Sequence, residues 1–403
     1  MRQYDQAASW GILPDVLPEP HTDNFVLTSH TGKLTPFLKW AGGKEQELRH
    51  ILPSIPAFDS YFEPFVGGGA VFFSITARKK FINDRSPELC KLYAMIAKSD
   101  KDFFRALDIL LAGWQCLSAL VDSEADSLTR LYKAYSCNEC TLEEISDELL
   151  RFISSHATEF RELFEVFFSH DIENFMRELQ RNLFSKTKRM KALEDKKWKL
   201  PDGDVVANIE SALKSAFYMH LRYLYNKSRE YKIPPGFASA IFFFVRENAY
   251  ASMFRYNSQG EFNVPYGGIS YNRKDLARKV DYMRSLELRS YLSNTIIENK
   301  DFEEFFLKHP PQAGDFVFLD PPYDSEFSTY ARNEFTMQDQ ARLAHYLLEC
   351  CKAKFMLVIK NTPAILHLYS QADLNIRTFG KKYQVSFQAR NDRAVEHLMI
   401  TNY

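Results

Sequence analysis

Apolar residues along the chain recur with two periods, and the switches between them mark out the elements. Short continuous runs occur at Phe316-Val317-Phe318-Leu319 and Phe355-Met356-Leu357-Val358-Ile359. Each is too short for a helix and reads as a strand buried on both faces. Ser60-Tyr61-Phe62-Glu63, Lys80-Phe81-Ile82-Asn83-Asp84 and Thr295-Ile296-Ile297-Glu298 read as three more strands. Val385–Gln388 and His397–Thr401 read as the last two, joined by an exposed turn, Arg390-Asn391-Asp392-Arg393. Elsewhere the period is helical. Leu107, Leu110 and Leu111, then Phe152, Phe160, Phe164, Phe167 and Phe168, predict helices over most of 100–230. A buried helix is predicted over Phe237–Asn248, and shorter ones over Ala70–Thr76 and from Pro87. Leu343, Ala344, Leu347 and Leu348 predict another, from Thr336 or Gln338 through Cys351. Strands alternating with helices predict an α/β fold with one largely parallel sheet, interrupted by a long helical stretch.

Composition narrows the class. The 403 residues have room for two or three domains, and aromatic residues at 15% supply ample core. Residues 1–36, with Pro14, Pro18, Pro20 and Pro36 among polar residues, read as an irregular N-terminal extension, either a loosely ordered leader or an arm laid on the body or on DNA. A net charge of −1 does not announce a polyanion binder, so any such affinity must come from a local patch. The densest is Lys186, Lys188, Arg189, Lys191, Lys196, Lys197 and Lys199. It reads as a solvated helix face or as a phosphate-contacting one. No apolar run is long enough to predict a membrane span. No secretory pattern opens the chain and the six cysteines are scattered, so reduced thiols and a cytoplasmic location are expected. Cys137-Asn138-Glu139-Cys140 has a metal-like spacing, but His156 and His170 lie far off the spacing of two further ligands, so no metal is expected.

The chemistry concentrates at Asp320-Pro321-Pro322-Tyr323, directly after the strand Phe316–Leu319. Ligand sites in open α/β sheets lie at the carboxyl ends of strands. Two prolines stiffen this turn and remove their own N–H groups. The product is a rigid cup of carboxylate, backbone carbonyl and aromatic face, suited to a planar ligand with an exocyclic amine; an ordinary Asp-Pro turn is the plainer alternative. Two glycine-rich segments accompany it. In Trp40-Ala41-Gly42-Gly43-Lys44, opening what reads as a helix with Glu45, Glu47 and Arg49 on its polar side, the glycines let backbone approach a ligand while Trp40 offers a face and Lys44 a charge. In Glu63-Pro64-Phe65-Val66-Gly67-Gly68-Gly69 an acid precedes contiguous glycines. That departs from the dinucleotide fingerprint and favours a cationic ligand without a pyrophosphate. Asp84, at the tip of the next strand, is placed to accept from ribose hydroxyls or to cap the helix from Pro87.

Between the helical stretch and the third strand, Met253 to Gly268 reads as two extended segments joined by Asn257-Ser258-Gln259-Gly260, a β-hairpin. A ribbon of that size fits the DNA major groove, and Arg255 can grip a guanine there. Tyr250 and Tyr256 are candidates for stacking or wedging where a base leaves the helix.

The chain resembles the Dam-type (D12 class) DNA N6-adenine methyltransferases in four stretches that fall in that family's order. They are Phe37-Leu38-Lys39-Trp40-Ala41-Gly42-Gly43-Lys44, Phe62-Glu63-Pro64-Phe65-Val66-Gly67-Gly68-Gly69-Ala70, Arg255 to Gly267, and Asp320 to Tyr323. The resemblance implies a Rossmann-like class I methyltransferase sheet with an antiparallel final hairpin, formed by 37–98 and 271–403. It implies a helical target-recognition domain over 99–270 whose hairpin spans about 250–268. It implies S-adenosylmethionine as co-substrate, touched by Trp40, Lys44, Glu63, Phe65, Gly67, Gly69, Asp84 and Asp320, with Asp301 and Phe302 flanking its adenine; for Asp301 a helix N-cap is the alternative. It implies that Asp320, Pro321 and Tyr323 carry catalysis on a flipped adenine, and that Tyr250, Arg255, Tyr256, Asn257, Asn263 and Pro265 meet double-stranded DNA. The implied protein is a bacterial or phage-encoded monomer, paired with a cognate restriction endonuclease or serving epigenetic marking. A helical insertion longer than a minimal Dam-type enzyme needs leaves the recognition sequence open. Rival readings are a non-catalytic DNA-binding protein on the same frame, or transfer to cytosine N4, RNA adenine or a protein amide. Cytosine C5 chemistry is dismissed because no Pro-Cys pair occurs.

Overall fold

The computed structural model describes residues 34–40, 42–164, 167–322, 335–370, 373–382 and 394–403. Most of the N-terminal extension (1–33), Tyr323, the polar loop Ser325–Asn333, the expected strand Val385–Gln388 and its Arg390–Arg393 turn lie outside the described residues.

The apolar runs form strands β1 (Ser60–Glu63), β2 (Lys79–Asn83), β3 (Thr295–Glu298), β4 (Phe316–Leu319), β5 (Lys354–Lys360), β6 (Asn375–Lys382) and β7 (Ala394–Thr401). They make one sheet in the order β3-β2-β1-β4-β5-β7-β6. The first five are parallel, with Tyr61 opposite Phe316 and Leu319 opposite Leu357. β7 enters antiparallel between β5 and β6. This is the class I methyltransferase architecture. Strand order reverses between β1 and β4, which opens a crevice beyond their carboxyl ends.

Alternation along the strands sorts side chains onto two faces. Tyr61, Phe316, Phe318, Met356 and Val358 enter one core, while Phe62, Val317, Leu319, Phe355 and Leu357 enter the other. With both faces covered, every residue of β4 is buried, so its sequence is continuously apolar rather than alternating.

The first face carries the helices: α1 (Leu48–Ile51), α2 (Pro87–Ala97), α3 (Lys101–Ser123), α4 (Ala125–Ser136), α5 (Leu142–Ser155), α6 (Ala157–Glu162), α7 (Ile172–Glu194), α8 (Asp202–Asn226) and α9 (Pro235–Asn248), then α10 (Ile269–Asn272), α11 (Leu276–Arg284) and α12 (Leu286–Ser293). By length and composition alone α3 is apolar enough to cross a bilayer. Here Phe103, Leu107, Leu110, Trp114 and Leu117 of α3 are buried, and Trp114 packs on Phe217 of α8 and Phe244 of α9. The aromatic stripe of 152–168 is likewise core: Phe164 stacks on Phe217 and meets Phe175 edge-on. The second face carries α13 (Phe302–Lys308), α14 (Met337–His345) and α15 (Pro363–Tyr369). Thr336 starts α14 with a capping box closed by Asp339, and the helix runs on to Cys350 as a π-turn.

Two local expectations differ from the structure, and one strand was not expected at all. The helix expected over Ala70–Thr76 is only a 3₁₀ turn at Phe72–Ser74, because the Tyr291 hydroxyl sits on the Phe72 and Ile75 carbonyls and Ile75 is extended. The helix expected to open at Trp40 starts only at Leu48, after a turn with Gly42 at φ +81°, and Glu47 is buried rather than on a wet face. On its side away from β5, β7 pairs with Asn375–Lys382, an edge strand no expectation covered, because its mixture of Asn, Arg, Thr and Lys conceals a strand period.

Candidate active site and nucleic-acid interface

The carboxyl ends of β1, β2 and β4 each present an acid to the crevice. Glu63, ending β1, is 2% exposed and accepts a hydrogen bond from the Tyr61 hydroxyl at 2.7 Å. Burial pushes its carboxyl well above the usual range, against the pull of that hydroxyl; the neighbouring Asp320 adds to the rise and Lys44 opposes it. Asp320, just past β4, accepts from Lys44 Nζ at 2.5 Å, and the same ammonium donates to the Gly42 carbonyl at 3.0 Å. Lys44 is 3% exposed and Asp320 keeps 18% of its side chain open. The turn after Asp320 is held from outside: the buried Gln340 of α14 donates its amide to the Pro322 carbonyl at 3.0 Å. Pro321 is buried and Pro322 exposed.

The glycine loop is built around β2. Asn83 donates to the Pro64 and Lys300 carbonyls and accepts from the Lys300 N–H, tying the turns after β1 and β3 together. Asp84 accepts the Gly67 N–H on Oδ2 (3.1 Å) and the Ser86 N–H on Oδ1 (2.9 Å). Two neutral donors do not offset its burial, and its carboxyl is pushed up to about 6. The cap of α2 is Ser86, so Asp84 is left to the crevice. Gly67 and Gly69 both hold positive φ. A Cβ at Gly69 would meet the Tyr93 hydroxyl at 2.6 Å; one at Gly67 would meet the Trp40 ring at 2.9 Å, which puts Trp40 on the glycine loop. Phe65 packs on Phe302 and Phe335. Phe302 is 1% exposed, so it backs Phe65 rather than presenting its own face. Asp301 caps α13 at the Glu303 N–H and pairs with Arg342 at 2.8 Å.

The ribbon after α9 turns where the Asn-Ser-Gln-Gly run stands. Tyr256 bridges Phe262 and Ala249 bridges Tyr266, and Asn263 donates to the Arg255 carbonyl. Asn257 is spent on its own turn: its side-chain oxygen accepts from the Gln259 and Glu261 N–H groups, and Gly260 takes φ +75°. Arg255 Nε donates to Asn263 Oδ1 at 3.0 Å, which orients the guanidinium on the ribbon. Tyr256 is anchored through its hydroxyl on Tyr225 of α8, and Tyr250 is 50% exposed beside the strained pair Ala251 and Ser252. Pro265 is exposed and its carbonyl accepts the Tyr250 N–H.

Trp40, Lys44, Glu63, Gly67, Gly69, Asp84 and Asp320 thus meet around one crevice, and Arg255, Tyr256, Asn257, Asn263 and Pro265 on one ribbon. Of the basic run, Lys191 and Lys199 both donate to the Ser136 carbonyl, Lys191 half-buried and Lys199 still exposed, while Lys188, Arg189, Lys196 and Lys197 are exposed as well. Among the described residues no cluster of His, Cys, Asp or Glu is suited to a metal. Sequence reasoning missed Gln340, Asn83 and Arg246. Arg246 alone left a signal: with Glu247 it forms a charged pair closing the apolar run of α9.

The sequence model of the D12 class N6 adenine-specific DNA methyltransferase family matches residues 40–113 and 131–385. The chain is 26% identical over 378 residues to the Type II methyltransferase M.CviBI of Paramecium bursaria Chlorella virus NC1A, covering 92% of this chain and 100% of that one. It is 26% identical over 367 residues to the Type II methyltransferase M.MjaIII of Methanocaldococcus jannaschii, covering 87% and 89%. It is 26% identical over 351 residues to the DNA adenine methylase of Vibrio cholerae, covering 84% and 86%.

Proposed function

The chain belongs to the D12 class of N6 adenine-specific DNA methyltransferases, and on that premise we propose that Asp320 and its neighbours hold the N6 amine of an adenine turned out of duplex DNA. S-adenosylmethionine, bound against the glycine loop, supplies the methyl group. The crevice suits it: Asp84 faces the crevice with a lone pair left on each oxygen, open space stands before Gly42, and the loop is flanked by acids where a pyrophosphate site would carry cations. Asp84 is assigned to the ribose hydroxyls, Trp40 and Phe65 to aromatic contact, and Glu63 to the electrostatics beneath the loop.

One observation carries the reading: Asp320 stands at the strand-order reversal, ionically paired to a lysine of the first glycine segment. The adenine amine is a poor nucleophile because its lone pair is delocalised into the ring. Hydrogen bonds from the amine to the Asp320 carboxylate and the Pro321 carbonyl hold it pyramidal and aim the lone pair, so that catalysis is positioning and electrostatics. Lys44 keeps Asp320 an acceptor by stabilising its charge. Turning the base out costs a few kcal/mol, offset in part by stacking on Tyr323.

Residues 99–270 are assigned to target recognition and 37–98 with 271–403 to the catalytic domain. Arg255 and Asn263 read the site, and Tyr250 and Tyr256 stand at the opened base pair. A monomer acting in the cytoplasm beside a cognate endonuclease fits relatives named as Type II methyltransferases. The test is transfer of labelled methyl to DNA followed by nucleoside analysis. The label should appear as N6-methyladenine, and Asp320→Ala should abolish it while S-adenosylmethionine binding survives. Label in N4-methylcytosine, or near-normal turnover by the variant, would refute the proposal.

A further inference from the structure

At the end of α9 the chain buries an arginine between the two halves of the site. Arg246 is 3% exposed. Its guanidinium lies 4.1 Å from the Phe254 ring centre and 4.9 Å from that of Trp40. Nη2 donates to the Lys39 carbonyl at 3.2 Å and Nη1 to the Met253 carbonyl at 3.5 Å. Among the described residues no carboxylate is bonded to it, and its Nε–H is buried without an acceptor. Burying a guanidinium on two carbonyls and two rings is an expensive way to fill space that an apolar side chain would fill more cheaply. What the arginine gains is two grips. Lys39 and Trp40 lead into Lys44, which holds Asp320, and Trp40 lies on Gly67; Met253 and Phe254 lead into Arg255 on the DNA-facing ribbon.

We infer that Arg246 is a positioning residue that couples engagement of the ribbon by DNA to the setting of Trp40, Lys44 and Asp320 in the catalytic crevice. The inference rests on the proposed function for the identity of both surfaces. When the ribbon seats in a groove, movement of Met253 and Phe254 is passed through the guanidinium to the Lys39 carbonyl and the Trp40 ring. Only a fork that bonds two carbonyls at once transmits it; an ammonium lacks that planar fork.

Two measurements test this. In Arg246→Met, single-turnover methylation of a duplex carrying the methylated sequence should fall about tenfold, while dissociation constants for S-adenosylmethionine and for the duplex each move less than about threefold. On a duplex with one base pair of that sequence changed, the rate should fall little, so discrimination shrinks. A folded variant with the wild-type rate, or one whose cofactor affinity falls as far as its rate, overturns the inference. Hydrogen exchange on the wild-type protein needs no variant to fold. Adding the duplex without cofactor should slow exchange over residues 37–48, and Arg246→Lys should lose that slowing. Indifference of 37–48 to DNA overturns the coupling even if Arg246→Met does not fold. Failure of the wild type to methylate adenine would instead sink the proposed function, since the exchange measurement reads DNA binding alone.

Discussion

Replacing Asp84 by asparagine tests the cofactor assignment through a charge whose energetics the structure specifies. The carboxyl is raised from the usual 3.8 to about 6 because burial outweighs the N–H groups of Ser86 and Gly67. At 1.36 kcal/mol per pH unit, the ionised form is strained by about 3 kcal/mol, an upper figure because solvent still reaches one side. The sign follows from linkage. The folded state binds this proton more tightly than the unfolded chain, so Asp84 weakens the fold above about pH 6 and the penalty fades as pH falls toward 4. Ribose hydroxyls would supply the donors that the ionised carboxylate lacks, at about 1.5–3 kcal/mol for a hydrogen bond to a charged group. Binding of S-adenosylmethionine therefore favours the ionised form. The wild-type Kd should be flat above about pH 7 and rise toward tenfold per unit below about 6. Asp84→Asn should bind about ten- to a hundredfold more weakly at pH 8, with that dependence removed. Calorimetric titration from pH 8 to pH 5 reads both, and the variant separates Asp84 from Glu63, whose raised carboxyl remains in both proteins. Equal slopes in the two proteins, or a variant within about twofold of wild type at pH 8, would refute the assignment.

Other substitutions probe the scaffold and the ribbon. Gly69→Ala should destabilise by at least about 1–2 kcal/mol in denaturant unfolding, since φ is +77° and its Cβ would strike Tyr93; Gly42→Ala, also at positive φ but facing open space, should lose only the backbone term. Equal losses would show that the packing around Tyr93 yields. Gln340→Leu removes the bond to the Pro322 carbonyl together with a buried oxygen that has no partner among the described residues. Stability should stay within about 1 kcal/mol while turnover falls about tenfold with cofactor binding intact, and unchanged turnover would mean the prolines alone set the turn. Arg255→Ala should lose about 1–3 kcal/mol of discrimination at one base pair, visible as relaxed sequence choice at one position in the methylated sites of DNA from expressing cells. Unaltered site choice would remove Arg255 from base reading.

Where burial is complete, the chain announces itself. β4 and β5 lie between two cores, so they are apolar throughout and can be read directly from Phe316–Leu319 and Phe355–Ile359. β6 was hidden because it is an edge strand, free to be polar, and its pairing with β7 is decided by register rather than composition. The turn at Phe72–Ser74 was misjudged because its helix is stopped by Tyr291, far away in sequence. The Asn257 turn was legible, but not that Asn257 would be consumed in holding it.

By itself, then, the sequence determined the strand cores, the glycine-bearing turns and the acids at strand tips, because these follow from local periodicity and from φ angles only some residues tolerate. Tertiary structure alone decided which groups meet. Lys44 and Asp320 stand 276 positions apart, and the packing of the first glycine segment against β4 puts that ammonium on that carboxylate. The raised carboxyl of Asp84 comes from burial, and the grip of Arg246 comes from two segments folded onto one helix end. Burial and long-range pairing are properties of the folded chain's surroundings, which no local stretch of sequence contains.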